Sequence, residues 1–148
     1  MRFMMMAIHR IGSRSDREGF LTTEWPASAA PDGAPCPEAV ARMTEYDTSL
    51  RKAGVLLARD VLFLPSSGTR ISCTDGKATV TGRPFAESND AVCSYWIIQV
   101  RSREEAIEWA KRAPMSNDEA IEIRQIREMS DFPEDVLKAA EVFSERTR

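Results

Sequence analysis

Two runs of apolar residues predict the central strands of a sheet. Residues 94–101 (SYWIIQVR) are rich in β-branched and aromatic side chains, and residues 2–9 (RFMMMAIH) are apolar at almost every position. Because successive side chains of a strand point to opposite faces, each run places apolar groups on both faces. That pattern is typical of interior strands that are covered on both sides.

Two further strand regions are less continuous. Residues 55–58 and 61–64 are short apolar runs, which we interpret as one strand region interrupted near Arg59 and Asp60. Residues 120–127 (AIEIRQIR) alternate isoleucine with charged residues, which predicts a half-exposed strand. We therefore expect both regions to lie outside the two central strands.

A β-hairpin is predicted between these strands. Residues 70–73 and 78–81 flank the sequence Thr74-Asp75-Gly76-Lys77. The Asp-Gly pair favours a tight turn, because such a turn requires positive φ angles that these two residue types tolerate best.

The first predicted helix covers residues 37–53. Pro37 suits the first helical position, where its missing N–H leaves no hydrogen bond unmade. Apolar residues then recur at helical spacing as far as Ala53, and Gly54 fits the position just past the helix end.

The second predicted helix covers residues 102–113. Ser102 lies three residues before Glu105, which is the spacing of a capping box, and Pro114 disfavours continuation of the helix. A last helix is predicted over residues 133–146, where apolar residues again recur on one side.

The order of these elements predicts an α+β fold. It is β, α, β, hairpin, β, α, β, α, which favours a ferredoxin-like sandwich with an added β-hairpin and a C-terminal helix. All 148 residues are expected to form a single domain. Residues 11–36 contain three of the eight prolines and show no sustained period, which predicts a long loop.

Counting layers predicts a homodimer. The helices over 37–53 and 102–113 can cover only one face of a four-stranded sheet, yet both central strands are apolar on two faces. The predicted C-terminal helix is one candidate cover for part of the other face, and a second copy of the chain is the more economical one.

Composition excludes several classes of function. The net charge is −3, which gives no general attraction to nucleic acid. Three separated cysteines and the single histidine, His9, do not form a standard metal-ligand set, and no cofactor-binding motif is present. The apolar run over residues 3–8 is too short for a signal peptide or a membrane span, so we expect a cytoplasmic protein.

The same segments carry a family resemblance. Residues 79–88 (TVTGRPFAES) and 94–114 (SYWIIQVRSREEAIEWAKRAP) resemble the YCII-related family, in the branch named for its DGPF motif. The segments MRFMMM, KAGVLLA, PSS and EAIEIRQI are also similar to that branch. Where the branch reads Asp-Gly-Pro-Phe, this chain has Gly82-Arg83-Pro84-Phe85.

The resemblance implies a ferredoxin-like fold, assembled as a dimeric α+β barrel, and association with a sigma-factor system. In catalytic relatives a histidine and an aspartate are thought to form an acid–base pair, which does not map residue by residue onto this chain. The branch often has a histidine just before the PSS segment, where this chain has Leu64.

The candidate site lies between the end of the first strand and the turn after the hairpin. His9 can move a proton near neutral pH, and Glu87 and Asp60 are the candidate partner carboxylates. A structural role for each of the three is the alternative. The residues expected to bind a small organic anion are Arg83, Phe85, Ser88 and Trp96.

Three functions remain open from the sequence. The first is a dimeric small-molecule-binding or regulatory domain without turnover. The alternative is a lyase- or isomerase-type enzyme that moves a proton in a cleft near His9 and Glu87. The third is a purely structural dimer. A histidine that faces a carboxylate in a cleft would favour the enzyme, and a filled interface would favour the structural dimer.

Overall fold

The computed structural model describes residues 1–10, 37–63, 67–81, 90–115 and 119–138. The predicted loop 11–36, the turn over residues 82–89 and the end of the predicted C-terminal helix lie outside the described residues. The elements are β1 (Arg2–Arg10), α1 (Pro37–Lys52), β2 (Leu56–Val61), β3 (Arg70–Thr74), β4 (Lys77–Thr81), β5 (Asp90–Gln99), α2 (Arg103–Lys111) and β6 (Glu119–Gln125). A short 3₁₀ turn, Met129–Asp131, follows β6, and residues 134–138 are helical.

Four strands form one antiparallel sheet in the order β2-β5-β1-β6. The predicted central strands are confirmed, since β5 and β1 are neighbours with Phe3 opposite Ile98 and Met5 opposite Trp96. Leaving out the β3–β4 pair, the chain runs β, α, β, β, α, β, which is the order of a ferredoxin-like α+β fold. The fold predicted from the sequence is therefore confirmed.

Both helices pack on the same face of this sheet, which we call the helix face. It carries Phe3, Met5, Trp96 and Ile98, which are all buried and cluster with the apolar stripes of α1 and α2. The rings of Tyr46 and Trp96 meet edge to face with centroids 5.7 Å apart. The Tyr46 hydroxyl also donates a 2.8 Å hydrogen bond to the carbonyl of Trp109, which ties α1 to α2.

The other side of the sheet, the open face, is apolar at its centre. The side chains that point there from β1 and β5 are partly exposed, and they are Met4, Met6, Ile8, Tyr95 and Ile97. Charged residues of the outer strands border this apolar centre, as with Asp60 on β2 and Glu122 on β6. The two-sided apolar pattern predicted for β1 and β5 is thus present.

The helix ends follow the predicted local signals. Gly54 adopts φ +70°, the left-handed conformation that follows many helices. The Ser102 Oγ accepts a 3.2 Å hydrogen bond from the Glu105 amide at the start of α2. The Glu105 carboxylate accepts from the Arg101 amide, one residue before the position that a capping box would use.

The predicted interruption at Arg59 and Asp60 is wrong. β2 continues through both residues, and its irregularity lies at Leu57, where the pairing with β5 shifts. The two charged residues fit within the strand because they point to opposite faces, with Arg59 opposite Trp96 and Asp60 opposite Tyr95.

The hairpin prediction is confirmed. β3 and β4 form a separate two-stranded sheet, and the turn residues Asp75 and Gly76 adopt φ angles of 51° and 73°. Two consecutive positive φ angles are the mark of a type I′ turn.

Candidate functional site

A buried carboxylate joins three elements beneath the first helix. Asp47 of α1 accepts a 2.8 Å hydrogen bond at Oδ1 from the indole Nε1 of Trp96 on β5. Its Oδ2 lies 3.0 Å from Nε of Arg59 on β2. That Nε–H is not aligned on the oxygen, so the contact with Arg59 is a charge pairing. We call Asp47, Arg59 and Trp96 the Asp47 cluster.

The Asp47 cluster is brought together by the helical spacing of α1 and by the pairing of β2 with β5. On α1, Asp47 lies four residues after Met43 and three before Leu50, so it falls on the stripe that faces the sheet. On the sheet, Arg59 lies directly opposite Trp96, and paired residues point to the same face.

Burial makes the pairing necessary. Only 8% of the Asp47 side chain is exposed, and a buried carboxylate is costly unless donors or cations surround it. Trp96 supplies a neutral donor and Arg59 supplies the positive charge. The cluster therefore holds one carboxylate and one guanidinium in a fixed relation.

Arg59 is the member of the cluster that reaches solvent. Its side chain is 22% exposed, and its Nε faces Asp47. The two outer nitrogens, Nη1 and Nη2, have no hydrogen-bond partner among the described residues. A planar guanidinium can bind a carboxylate through two parallel hydrogen bonds, so this edge of Arg59 suits an anionic ligand.

His9 is also buried on the helix face, at the far end of β1. It lies opposite Ala91 of β5 and opposite Glu119 of β6. A histidine and a carboxylate at paired positions of neighbouring strands have Cβ atoms about 5 Å apart. The backbone therefore brings together a potential acid–base pair that sequence reasoning missed.

His9 and Trp96 share the helix face but are separated along it. Trp96 lies opposite Met5, four residues before His9 on β1. At a rise of roughly 3.4 Å per residue, the two positions are about 14 Å apart along the strand. Trp96 is fully buried in the core, where it holds the Asp47 carboxylate.

Asp60 lies on the other side of the sheet. Its Oδ2 accepts a 2.6 Å hydrogen bond from the Tyr95 hydroxyl on the open face. That hydrogen bond raises the pKa of Tyr95 above its usual value, because it stabilises the protonated phenol. Since His9 is on the helix face, Asp60 and His9 are not brought together.

The remaining predicted site residues belong to the turn that the sequence predicts after the hairpin. Glu87, Arg83, Phe85 and Ser88 lie outside the described residues. Their convergence with His9 or Trp96 stays a prediction.

The cysteines and the acidic groups offer little other chemistry in the described part of the chain. Burial raises the pKa of Cys93 to about 11, which keeps it a neutral thiol near pH 7. Cys73 is exposed on the hairpin. Among the described residues, no group of three His, Cys, Asp or Glu side chains is arranged to hold a metal ion.

A cavity of about 530 Å³ lies at the other end of β1 from His9. Two of its charged residues pair with each other, because Arg2 donates hydrogen bonds of 2.7 and 2.9 Å to the Glu128 carboxylate. This pairing raises the pKa of Arg2 and lowers that of Glu128. The cavity therefore has less capacity to bind a charged ligand than the exposed edge of Arg59.

Asp47 and Arg59 were not among the residues predicted for the site. The sequence feature that could have identified Asp47 is a charged residue within an otherwise apolar helical stripe. Arg59 interrupts a run of apolar residues, which in the sequence alone indicates a break in the strand. Only the pairing of β2 with β5 shows that these two residues face each other.

Comparison with known proteins gives one family. The model of the YCII-related domain matches residues 1–130. A search of curated proteins gives no match. Among the described residues, no helix is long and apolar enough to span a membrane.

Proposed function

The chain belongs to the YCII-related domain family, and we propose that it is a homodimeric domain that binds a small organic anion without turning it over. The observation that carries this proposal is the partly exposed side chain of Arg59, whose guanidinium is held in place by the buried carboxylate of Asp47. A carboxylate-bearing small molecule is the ligand class that this arrangement favours.

Preorganisation supports a binding role for Arg59. A free arginine side chain loses considerable rotamer entropy when it is fixed by a ligand. In this chain Asp47 already restrains the guanidinium, and Trp96 restrains Asp47. A ligand that binds the outer nitrogens therefore costs less ordering than at an unrestrained surface arginine.

The separation of the candidate groups favours binding over proton transfer. Asp60 and His9 lie on opposite faces of the sheet and cannot act on the same atom. In this proposal Trp96 serves the site indirectly, by orienting Asp47. Arg83, Phe85 and Ser88, which lie outside the described residues, stay predicted members of the anion site.

The dimer is proposed on the open face. Apolar side chains of β1 and β5 stand partly exposed at the centre of that face, while α1 and α2 both pack on the helix face. A second copy that packs on this face would remove those side chains from water, which stabilises the dimer by about 25 cal/mol for each Å² of apolar surface buried. Cytoplasmic location and association with a sigma-factor system stay predictions.

A titration with organic acids tests the anion site. Trp96 touches Asp47, so its fluorescence should respond when a carboxylate such as benzoate binds Arg59. We expect Arg59→Gln to weaken the response at least about tenfold, which corresponds to roughly 1.4 kcal/mol of binding free energy. Arg51→Gln, on the exposed end of α1, is the matched control and should bind as the wild type does. Equal affinity in the Arg59→Gln and Arg51→Gln variants would place the ligand elsewhere.

One observation favours a second candidate function. Glu119 lies opposite His9, so a histidine and a carboxylate project from the same face of neighbouring strands. That arrangement is suited to an enzyme of the lyase or isomerase type, which moves a proton next to a carboxylate or carbonyl group. Exchange of the protons on the carbon next to the keto group of keto acids, followed by NMR in D₂O, tests it. Exchange that is lost in His9→Gln would support the enzyme, and no exchange above the buffer rate would reject it for those compounds.

A further inference from the structure

The β3–β4 hairpin has two chemically different faces. Ile71 lies opposite Val80 and Cys73 lies opposite Ala78, so these four residues form one apolar face. The residues of the opposite face are polar or charged, as with Ser72, Thr74, Lys77 and Thr79. We call the first set the apolar hairpin face.

This apolar face is open to solvent in the single chain. Ile71 is 69% exposed and Val80 is 66% exposed, and every residue of β3 is exposed. A two-stranded hairpin alone is marginally stable in water, and it needs further strands or a packing partner. When apolar and polar residues alternate so that all the apolar ones lie on one side, the sheet usually packs that side against another protein surface.

We propose, on the basis of the proposed homodimer, that the apolar hairpin face packs against the open face of the second copy. The apolar hairpin face carries no charge, which fits an apolar protein surface and not an ionic one. The open face supplies such a surface in Met6, Ile8 and Tyr95. In a two-fold dimer each copy offers one hairpin and one open face, so the contact forms twice.

The position of the hairpin in the chain supports this contact. The hairpin is inserted between β2 and β5, which are neighbours in the sheet. The hairpin with its two connecting segments, which we call the arm, therefore starts and ends at the same border of the sheet. Eight residues separate Val61 from Arg70, and a chain of that length spans up to roughly 26 Å. The arm can therefore reach over the border of its own sheet to the partner.

The dimensions of the two surfaces also match. A five-residue strand such as β3 is about 17 Å long, and four strands spaced roughly 4.8 Å apart form a sheet about 14 Å across. Phe63, which is 89% exposed before the hairpin, adds an aromatic ring at the base of the arm.

Cys73 provides a native probe of this contact. In the single chain Cys73 is exposed, but in the proposed dimer its thiol faces the partner. With Cys36 and Cys93 replaced by serine, Cys73 is the only thiol of the chain. The matched control replaces Cys73 by serine as well and introduces Ser72→Cys on the polar face of the same strand.

The experiment compares maleimide labelling rates of the two proteins, each divided by its own rate in denaturant. We expect Cys73 to label at least about tenfold more slowly than the cysteine at position 72 in the native dimer. The double variant Ile71→Lys, Val80→Lys should restore fast labelling of Cys73 and weaken the dimer, whereas Ser72→Lys, Thr79→Lys should change neither.

Sedimentation of the same samples separates the two proposals. If the protein is a dimer in which Cys73 and the control thiol label equally fast, the arm contact is wrong and the proposed dimer is supported. A monomeric protein overturns both. Slow labelling of Cys73 in a dimer, relieved by the lysine pair on the apolar face only, supports the arm contact.

Discussion

Asp47 sets the character of the site because it is a charged residue on the buried side of an amphipathic helix. The side chains three and four residues away from it pack on the sheet, so Asp47 is drawn below α1 with them. Two of its contacts, with Trp96 and Arg59, compensate the loss of hydration. The result is an arginine that is fixed at one edge and accessible at the other.

Removing the Asp47 carboxylate should destabilise the fold. Asp47→Ala leaves the Trp96 indole N–H buried without its acceptor and Arg59 without its counter-charge. We expect the free energy of unfolding to fall by about 2–4 kcal/mol. Urea denaturation measures the loss. Glu45→Ala, an exposed neighbour on α1, should change stability by less than about 0.5 kcal/mol, and a similar small change for Asp47→Ala would contradict the burial of its charge.

Both tyrosines should resist ionisation while the protein is folded. Burial raises the pKa of Tyr46 to about 12, and the hydrogen bond to Asp60 raises the pKa of Tyr95. Because the folded pKa exceeds the unfolded value of 10, the associated stability is present below pH 10. It is lost as the pH rises from 10 toward the folded values.

Near-ultraviolet absorbance of the phenolate measures this titration, because the chain contains only two tyrosines. In Tyr46→Phe the remaining transition belongs to Tyr95 and should still lie above pH 10. Ionisation of both phenols at or below pH 10 in the folded protein would contradict the assigned contacts.

At the scale of elements, local signals predicted the helix ends and the hairpin well. Gly54, Ser102 and the Asp75-Gly76 turn act through backbone conformation or through hydrogen bonds within four residues, which a sequence displays directly. The break assigned near Arg59 failed because a charge within a strand is tolerated when its partner lies on another element. Asp47 is 12 residues away on a helix, and no local pattern reports that pairing.

Gly54→Ala tests the end of α1. At φ +70° a side chain is strained, although the added Cβ would meet no atom within 4 Å. The expected loss is therefore the backbone term alone, about 1–2 kcal/mol. Gly54→Asn should cost less, since asparagine tolerates this conformation better. Equal losses for alanine and asparagine in thermal unfolding would argue against the left-handed conformation.

Trp109→Ala tests the packing of α2. Trp109 is buried against the sheet, and the guanidinium of Arg112 lies 3.6 Å from its ring centroid. Truncation should reduce the free energy of unfolding by about 3–5 kcal/mol. Lys111→Ala, which removes only an exposed ion pair with Glu108, is the control and should cost less than about 0.5 kcal/mol. A loss below about 1 kcal/mol for Trp109→Ala would contradict the packing of this helix.

At the scale of the whole molecule, the sheet order followed from the sequence because β1 and β5 are apolar on both faces. Strands of that kind belong at the centre of a layered fold, and they are neighbours in the sheet. The site was harder to predict, because His9 and Glu119 are brought opposite each other only by the pairing of β1 with β6, and the two residues are 110 positions apart in the sequence. Such long-range pairing has no signature in either segment alone.

The proposed dimer and the proposed hairpin contact both depend on the open face. Met6→Lys places a charge at its centre, between Tyr95 and Glu122 on the neighbouring strands. Thr44→Lys, on the exposed surface of α1, is the matched control. Circular dichroism should show that both variants are folded.

Sedimentation equilibrium at micromolar concentration is the most direct test. We expect a mass of twice the 16.6 kDa chain for the wild type and for Thr44→Lys, and the mass of a single chain for Met6→Lys. A wild-type protein that sediments as one chain across that range, or a Met6→Lys variant that remains fully dimeric, would contradict the proposed dimer.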